Sequence, residues 1–191
     1  MTELIGTAGL IGTAGQTVGP FFHDALPFPG DSRLITETHP EAIQLHGVVY
    51  DGAGNGVPDA LIEIWQPDSD GAIVQRPGSL RRDGRTFTGW GRAATDGSGH
   101  YSFTTLVPGS ASAERPPFFA IAVFARGLLH RLFTRAYLPE GQLAADPLLN
   151  AVGADRRHTL VCTTEATGYR FDIHLQGVDE TVFLDYLDGQ P

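Results

Sequence analysis

Residues 46–71 read HGVVYDGAGNGVPDALIEIWQPDSDG, and this stretch decides the fold class. Val48, Val49 and Tyr50 close one β-branched and aromatic run, and Leu61 to Trp65 form the next. Between and after them lie Asp51-Gly52, Gly54-Asn55-Gly56 and Asp70-Gly71, residues that accept turn geometry. Two short runs separated by such punctuation read as strands of an all-β domain, since a helix needs a longer uninterrupted period.

The same rhythm continues in both directions. Strands are expected at about 43–50, 60–66, 86–94, 100–106, 117–125, 131–138, 158–164 and 169–176. Further turns stand at Asp96-Gly97 and Pro108-Gly109. One helix is expected over about 140–151, where Leu143, Leu148 and Leu149 give a weak apolar face interrupted by Pro147. Residues 24–42, with Pro27, Pro29, Gly30 and Pro40, read as an extended connector.

A chain of 191 residues fits one domain around one core, here residues 16–191. Met1 to Gly15 contains LIGTAG twice in tandem, which reads as a flexible leader. It has no basic residue, unlike a secretory signal. A net charge of -9 argues against nucleic acid and anionic membranes as partners. All 13 basic residues are arginine, so lysine-based covalent catalysis is excluded and any anion falls to arginine, histidine or backbone. Cys162 is the only cysteine, which rules out an intrachain disulfide and suits a reducing cytoplasm.

Side-chain alternation gives two strands distinct characters. In 169–176, Tyr169, Phe171, Ile173 and Leu175 face one way and polar residues the other, as in a half-exposed strand. In 117–125, Phe118, Ala120, Ala122 and Phe124 share one face, and Phe119, Ile121, Val123 and Ala125 the other. Two apolar faces place this strand centrally or under a partner chain. The seven histidines include no pair spaced by two, three or four, the spacings that bring two ligands together on one strand or helix.

Four segments occur in an order that carries a family resemblance: His46 to Gly71, GRAATDGSGHYSFTTLVPG (Gly91 to Gly109), FARGLLHRLFTRAYL (Phe124 to Leu138) and YRFDIHLQGVDETVFLDY (Tyr169 to Tyr186). Together they resemble the intradiol ring-cleaving dioxygenases over about Gln16 to Tyr186, and more closely the α-type subunits of heteromeric members that act on protocatechuate. The resemblance implies an intradiol-dioxygenase-type β-sandwich with short helices and long loops.

It also implies a ferric site built from two tyrosines and two histidines, which can be followed residue by residue. The first tyrosine lies in a stretch like GRYRH, which here reads Gly71-Ala72-Ile73-Val74-Gln75 and puts Ile73 at the ligand. The second lies in a stretch like PGPYPW, where Pro108-Gly109-Ser110-Ala111 puts Ala111. The histidines lie in a stretch like RPAHIH, where Arg115-Pro116-Pro117-Phe118-Phe119-Ala120 puts Phe118 and Ala120. All four residues lack a metal donor. The expectation is a subunit that binds no metal itself, in a complex whose Fe(III) is held by a homologous β chain, with apolar side chains filling the degenerate pocket. Arg115 keeps the family's arginine position, and an ion pair is expected for it.

The resemblance further implies a part in the partner's substrate cleft. Gln16 to His23, QTVGPFFH, is similar to the family's QTxGPYxH stretch and nominates Thr17, Gly19, Pro20 and Phe21 as pocket residues, with Phe21 where a tyrosine is common. Arg135 is the other candidate. A guanidinium suits the carboxylate of protocatechuate, and from the residues alone it reads as a strand-face arginine paired with a carboxylate. The complex would cleave protocatechuate with O2 to 3-carboxy-cis,cis-muconate. Two further readings stand beside this one: a self-sufficient enzyme, and a non-enzymatic transthyretin-like binding module derived from the fold.

Overall fold

A computed structural model describes residues 22–74, 82–83, 85–112 and 115–185. Helix α1 (Phe22–Ala25) is followed by strands β1 (Ile43–Tyr50), β2 (Leu61–Trp65), β3 (Trp90–Ala94), β4 (His100–Thr105), β5 (Phe118–Phe124) and β6 (Leu132–Tyr137). Helix α2 (Pro147–Ala151) then leads to β7 (Thr163–Glu165), β8 (Gly168–Arg170) and β9 (Ile173–His174), with two short 3-10 turns at Leu143–Ala145 and Arg157–Leu160.

The strands form two sheets. One runs β4-β1-β8-β7, with β9 also paired to β1, and the other runs β3-β2-β5-β6. Their inner faces meet in one core: Leu45, Val49, Tyr101 and Phe103 from the first pack with Ile62, Ile64, Phe119, Ile121 and Val123 from the second. This is the β-sandwich expected from the turn rhythm, with side chains alternating between core and outer face along each strand. Strand β5 lies between β2 and β6, so its doubly apolar pattern marks a central strand.

Several expected elements are rearranged. The strand at 169–176 is two strands, β8 and β9, both parallel to β1. The break is at Phe171 and Asp172, where the Asp172 carboxylate accepts the Val48 N–H at 2.9 Å in place of a ladder partner. Phe171 crosses β1 so closely that a Cβ on Gly47 would stand 1.9 Å from its carbonyl oxygen. The expected strand at 158–164 begins instead as a 3-10 turn, because the Thr159 hydroxyl donates to the Arg156 carbonyl (2.8 Å) and the Arg157 side chain folds back to the Val152 carbonyl (3.0 Å). In 140–151 only the last turn is α-helical. Asp146 caps it, accepting from Leu148 N (2.7 Å) and Leu149 N (3.1 Å), and Pro147 takes the first helical position.

The connector at 24–42 is more structured than its prolines suggest. Phe22 packs on Phe124 of β5 with centroids 6.3 Å apart. The Arg92 guanidinium donates to the Leu26 carbonyl at 2.8 Å. Residues 31–34 run along two strand edges: Arg92 N donates to Asp31 O (2.9 Å), Thr104 N to Ser32 O (3.0 Å) and Leu34 N to Thr104 O (2.8 Å). On the far side, the free edge of β6 meets Cys162, whose N–H donates to Tyr137 O (2.9 Å), and Leu184, whose N–H donates to Phe133 O (2.7 Å).

Candidate functional site

The outward face of the β3-β2-β5-β6 sheet carries three of the residues singled out by the sequence, Phe118, Ala120 and Arg135. Phe118 and Ala120 are successive outward positions of β5. Register places Phe118 opposite Tyr137 and Ala120 opposite Arg135 on β6, with Trp65 of β2 on the other side of Ala120. Trp65 is 54% exposed, so this face opens to solvent beside the small Ala120.

Arg135 organises the group. Its guanidinium stands 4.2 Å over the centroid of the Phe118 ring and donates to the Tyr137 hydroxyl at 3.0 Å. Asp146, the buried cap of α2, places Oδ2 3.9 Å from Arg135 Nη1. That distance allows charge attraction but is too long for a hydrogen bond. The carboxylate partner expected for Arg135 is thus a helix cap, and the ring and the phenol add directional contacts. Phe118 and Tyr137 also pack with Leu149 and Leu160 into a second apolar cluster under α2. Burial pushes the Tyr137 phenol up to about 12, against the opposing pull of Arg135, so the hydroxyl stays protonated across the neutral range.

The other two positions sit on loops. Ile73 follows β2 and is 69% exposed, and Ala111 follows β4 and is also exposed. Their loops touch through backbone: Gly109 N donates to Asp68 O at 2.8 Å, and the Ser110 carbonyl oxygen stands 2.1 Å from where a Cβ on Gly71 would be. Gly71 has a φ of 86°, so glycine there answers both the conformation and the close approach. Of the apolar filling expected at four positions, Phe118 supplies the packed part, and Ile73 points into solvent. Arg115 is exposed, and no ion pair joins it to another described residue.

The residues at 73, 111, 118 and 120 do not fit a ferric ion. Isoleucine, alanine and phenylalanine offer no oxygen or nitrogen, and the Arg135 cation beside Phe118 opposes a second positive charge. Among the described residues, no group of three or more His, Cys, Asp or Glu side chains is placed to hold a metal ion. No helix among them is long and apolar enough to cross a membrane.

Thr17, Gly19, Pro20 and Phe21 lie outside the described residues. Phe22 follows them directly and is buried on Phe124, on the same face of β5 as Phe118 and Ala120. Sequence reasoning missed Tyr137 and Asp146 as members of this group. Two signals pointed to them: Tyr137 shares a strand face with Arg135, and Asp146-Pro147 is the cap and first residue of a helix.

Comparison with known proteins concerns the chain as a whole. A family model described as Dioxygenase matches residues 19–177. The chain is 38% identical over 192 residues to the protocatechuate 3,4-dioxygenase alpha chain of Burkholderia cepacia, covering 91% of this chain and 96% of that one. It is 32% identical over 184 residues to the beta chain of the same organism, covering 87% and 76%. Among solved structures, the dioxygenase domain of a carbohydrate-binding fusion from Streptomyces sp. SirexAA-E superposes with a TM-score of 0.59 at 23% identity, covering 87% of this chain and 99% of that one. Hydroxyquinol 1,2-dioxygenase from Pseudomonas putida DLL-E4 gives 0.57 at 19%, covering 85% and 65%. At those identities the structural matches establish the fold.

Proposed function

This chain belongs to the intradiol ring-cleaving dioxygenase family, and from that premise we propose that it is the α-type, non-metal-binding subunit of a protocatechuate 3,4-dioxygenase. One observation carries the reading: whole-length similarity to an alpha chain coexists with donorless residues at 73, 111, 118 and 120, the positions that the family resemblance assigns to the metal ligands. Fe(III) in the complex would then be held by a homologous β chain, and none by this one. Similarity to a beta chain of the same fold supports a pair of related subunits.

The assembled enzyme would take protocatechuate and O2 to 3-carboxy-cis,cis-muconate. The bond between the two hydroxyl-bearing carbons breaks, and each of those carbons receives one oxygen atom of O2 to become a carboxyl group.

This chain's part would be to complete the cleft. Thr17, Gly19, Pro20 and Phe21 would supply a wall, and the residue that follows them, Phe22, packs on Phe124. Arg135 would supply a fixed cation toward the anionic end of the substrate. Its guanidinium is already oriented by Phe118, Tyr137 and Asp146, so little rotamer entropy remains to be lost on binding. A cytoplasmic setting accords with a single, buried cysteine.

The test is co-expression with a homologous β chain, followed by iron analysis and oxygen uptake on protocatechuate. The expected result is a co-purifying, iron-bearing complex that consumes oxygen, and an isolated chain that does neither. Stoichiometric iron in the isolated chain would revive the self-sufficient enzyme, and failure to pair with any β chain would revive the binding module.

A further inference from the structure

The opposite side of the sandwich carries a second group of polar side chains. His46 on β1 and His100 on β4 are diagonal neighbours on the outward face of the first sheet, since Val48 is the residue directly opposite His100. His46 Nδ1 and His100 Nε2 are 3.3 Å apart. On its other nitrogen, His46 Nε2 is 2.9 Å from Glu165 Oε2 on β7. The His46 side chain is 24% exposed, so the group is open to solvent.

We propose that His46 and His100 form a zinc-type divalent cation site, with Glu165 orienting His46. Two nitrogens bound to a tetrahedral zinc at about 2.0–2.1 Å stand about 3.3 Å from each other, the separation seen here. The imidazole torsion that aims a ring nitrogen is broad, so small rotations bring both lone pairs onto one ion. The carboxylate on the distal nitrogen fixes the tautomer that leaves Nδ1 free to ligate, as metal-binding histidines generally require. Arg170, beside His46 in the parallel ladder, is engaged by Asp172 at 3.0 Å and 2.9 Å, which offsets its charge. Asp96 accepts the His100 backbone N–H at 3.1 Å and adds negative charge on that side. No third His, Cys, Asp or Glu among the described residues converges on the pair, so water completes the shell. Imidazole donors select zinc over magnesium or calcium, which prefer oxygen.

Calorimetric titration of the full chain with Zn2+ tests this, with Mg2+ as control. The expected result is one zinc equivalent lost in both His46→Gln and His100→Gln, an affinity about 10- to 100-fold weaker in Glu165→Gln, and no heat with Mg2+. Unchanged zinc-free thermal midpoints would show that the variants fold. Zinc-induced shifts of the His46 and His100 imidazole signals in the unsubstituted chain give a readout that needs no variant. The absence of zinc binding, shifts confined to other histidines, or undiminished binding in His100→Gln would overturn the site, and unchanged affinity in Glu165→Gln would overturn the orienting role.

Discussion

The guanidinium of Arg135 lies 4.2 Å over the ring of Phe118, so a fixed cation stands beside a position that the proposed assignment equates with a histidine ligand of the family's metal-binding chains. Ring and cation hold each other, since a largely buried pair of this kind contributes about 2 kcal/mol. Phe118 and Ala120 on β5 and Arg135 and Tyr137 on β6 therefore form one face.

Replacing Arg135 with alanine should raise KM for protocatechuate in the assembled enzyme about 10- to 100-fold, the range for losing a charged hydrogen bond. A smaller fall in kcat should accompany it. Arg135→Lys, which keeps the charge and loses the fork, should fall between the two. Steady-state kinetics on the co-purified complex decide the matter. An unchanged KM in Arg135→Ala would remove Arg135 from the cleft.

Placing histidines at 118 and 120 should not create an iron site. The Phe118→His, Ala120→His double variant still lacks the two tyrosinate donors and keeps Arg135 against the incoming charge. We expect substoichiometric iron by elemental analysis and a loss of about 1–3 kcal/mol in chemical denaturation, as an imidazole enters the cluster of Tyr137, Leu149 and Leu160. A stoichiometric, coloured iron site would contradict this account.

Tyr137 makes stability fall in alkali. Its folded value of about 12 exceeds the ordinary 10.0, so folding favours the neutral phenol. Its contribution is complete below about pH 10 and is lost as pH rises towards about 12. Tyr137→Phe should flatten that part of the stability profile and remove one late-titrating phenol from the ultraviolet tyrosinate titration. Persistence of both features in the variant would assign them to other tyrosines.

Gly47→Ala should cost about 3 kcal/mol or more, because its Cβ would stand 1.9 Å from the Phe171 carbonyl oxygen, where backbone must move. Ala53→Gly, in the exposed turn after β1, serves as a control expected to change little. A thermal midpoint for Gly47→Ala within a degree or two of the parent chain would show that the crossing of β1 yields easily.

Local pattern made part of this molecule legible. Strand β1 was expected over the residues it occupies, and the two apolar faces of β5 announced a central strand. The assignment of 73, 111, 118 and 120 to ligand positions rests on the flanking motifs alone and remains part of the proposal. What stayed hidden depends on partners distant in sequence. Asp172 breaks a strand by taking the N–H of Val48, 124 residues away. Arg135 meets a helix cap whose approach no periodicity encodes. His46 and His100, 54 residues apart, become neighbours through antiparallel register alone.

The segments laid along the strand edges have a consequence for assembly. Residues 31–34 occupy backbone positions beside β3 and β4, and Cys162 and Leu184 do so beside β6. The uncovered β7 is three residues long and carries Glu165. Among the described residues, β7 is thus the main edge left for another chain to extend, and its three residues offer little main-chain pairing. Edge coverage of this kind favours association through side chains on the outward faces, where a substitution can alter pairing without disturbing the strands beneath.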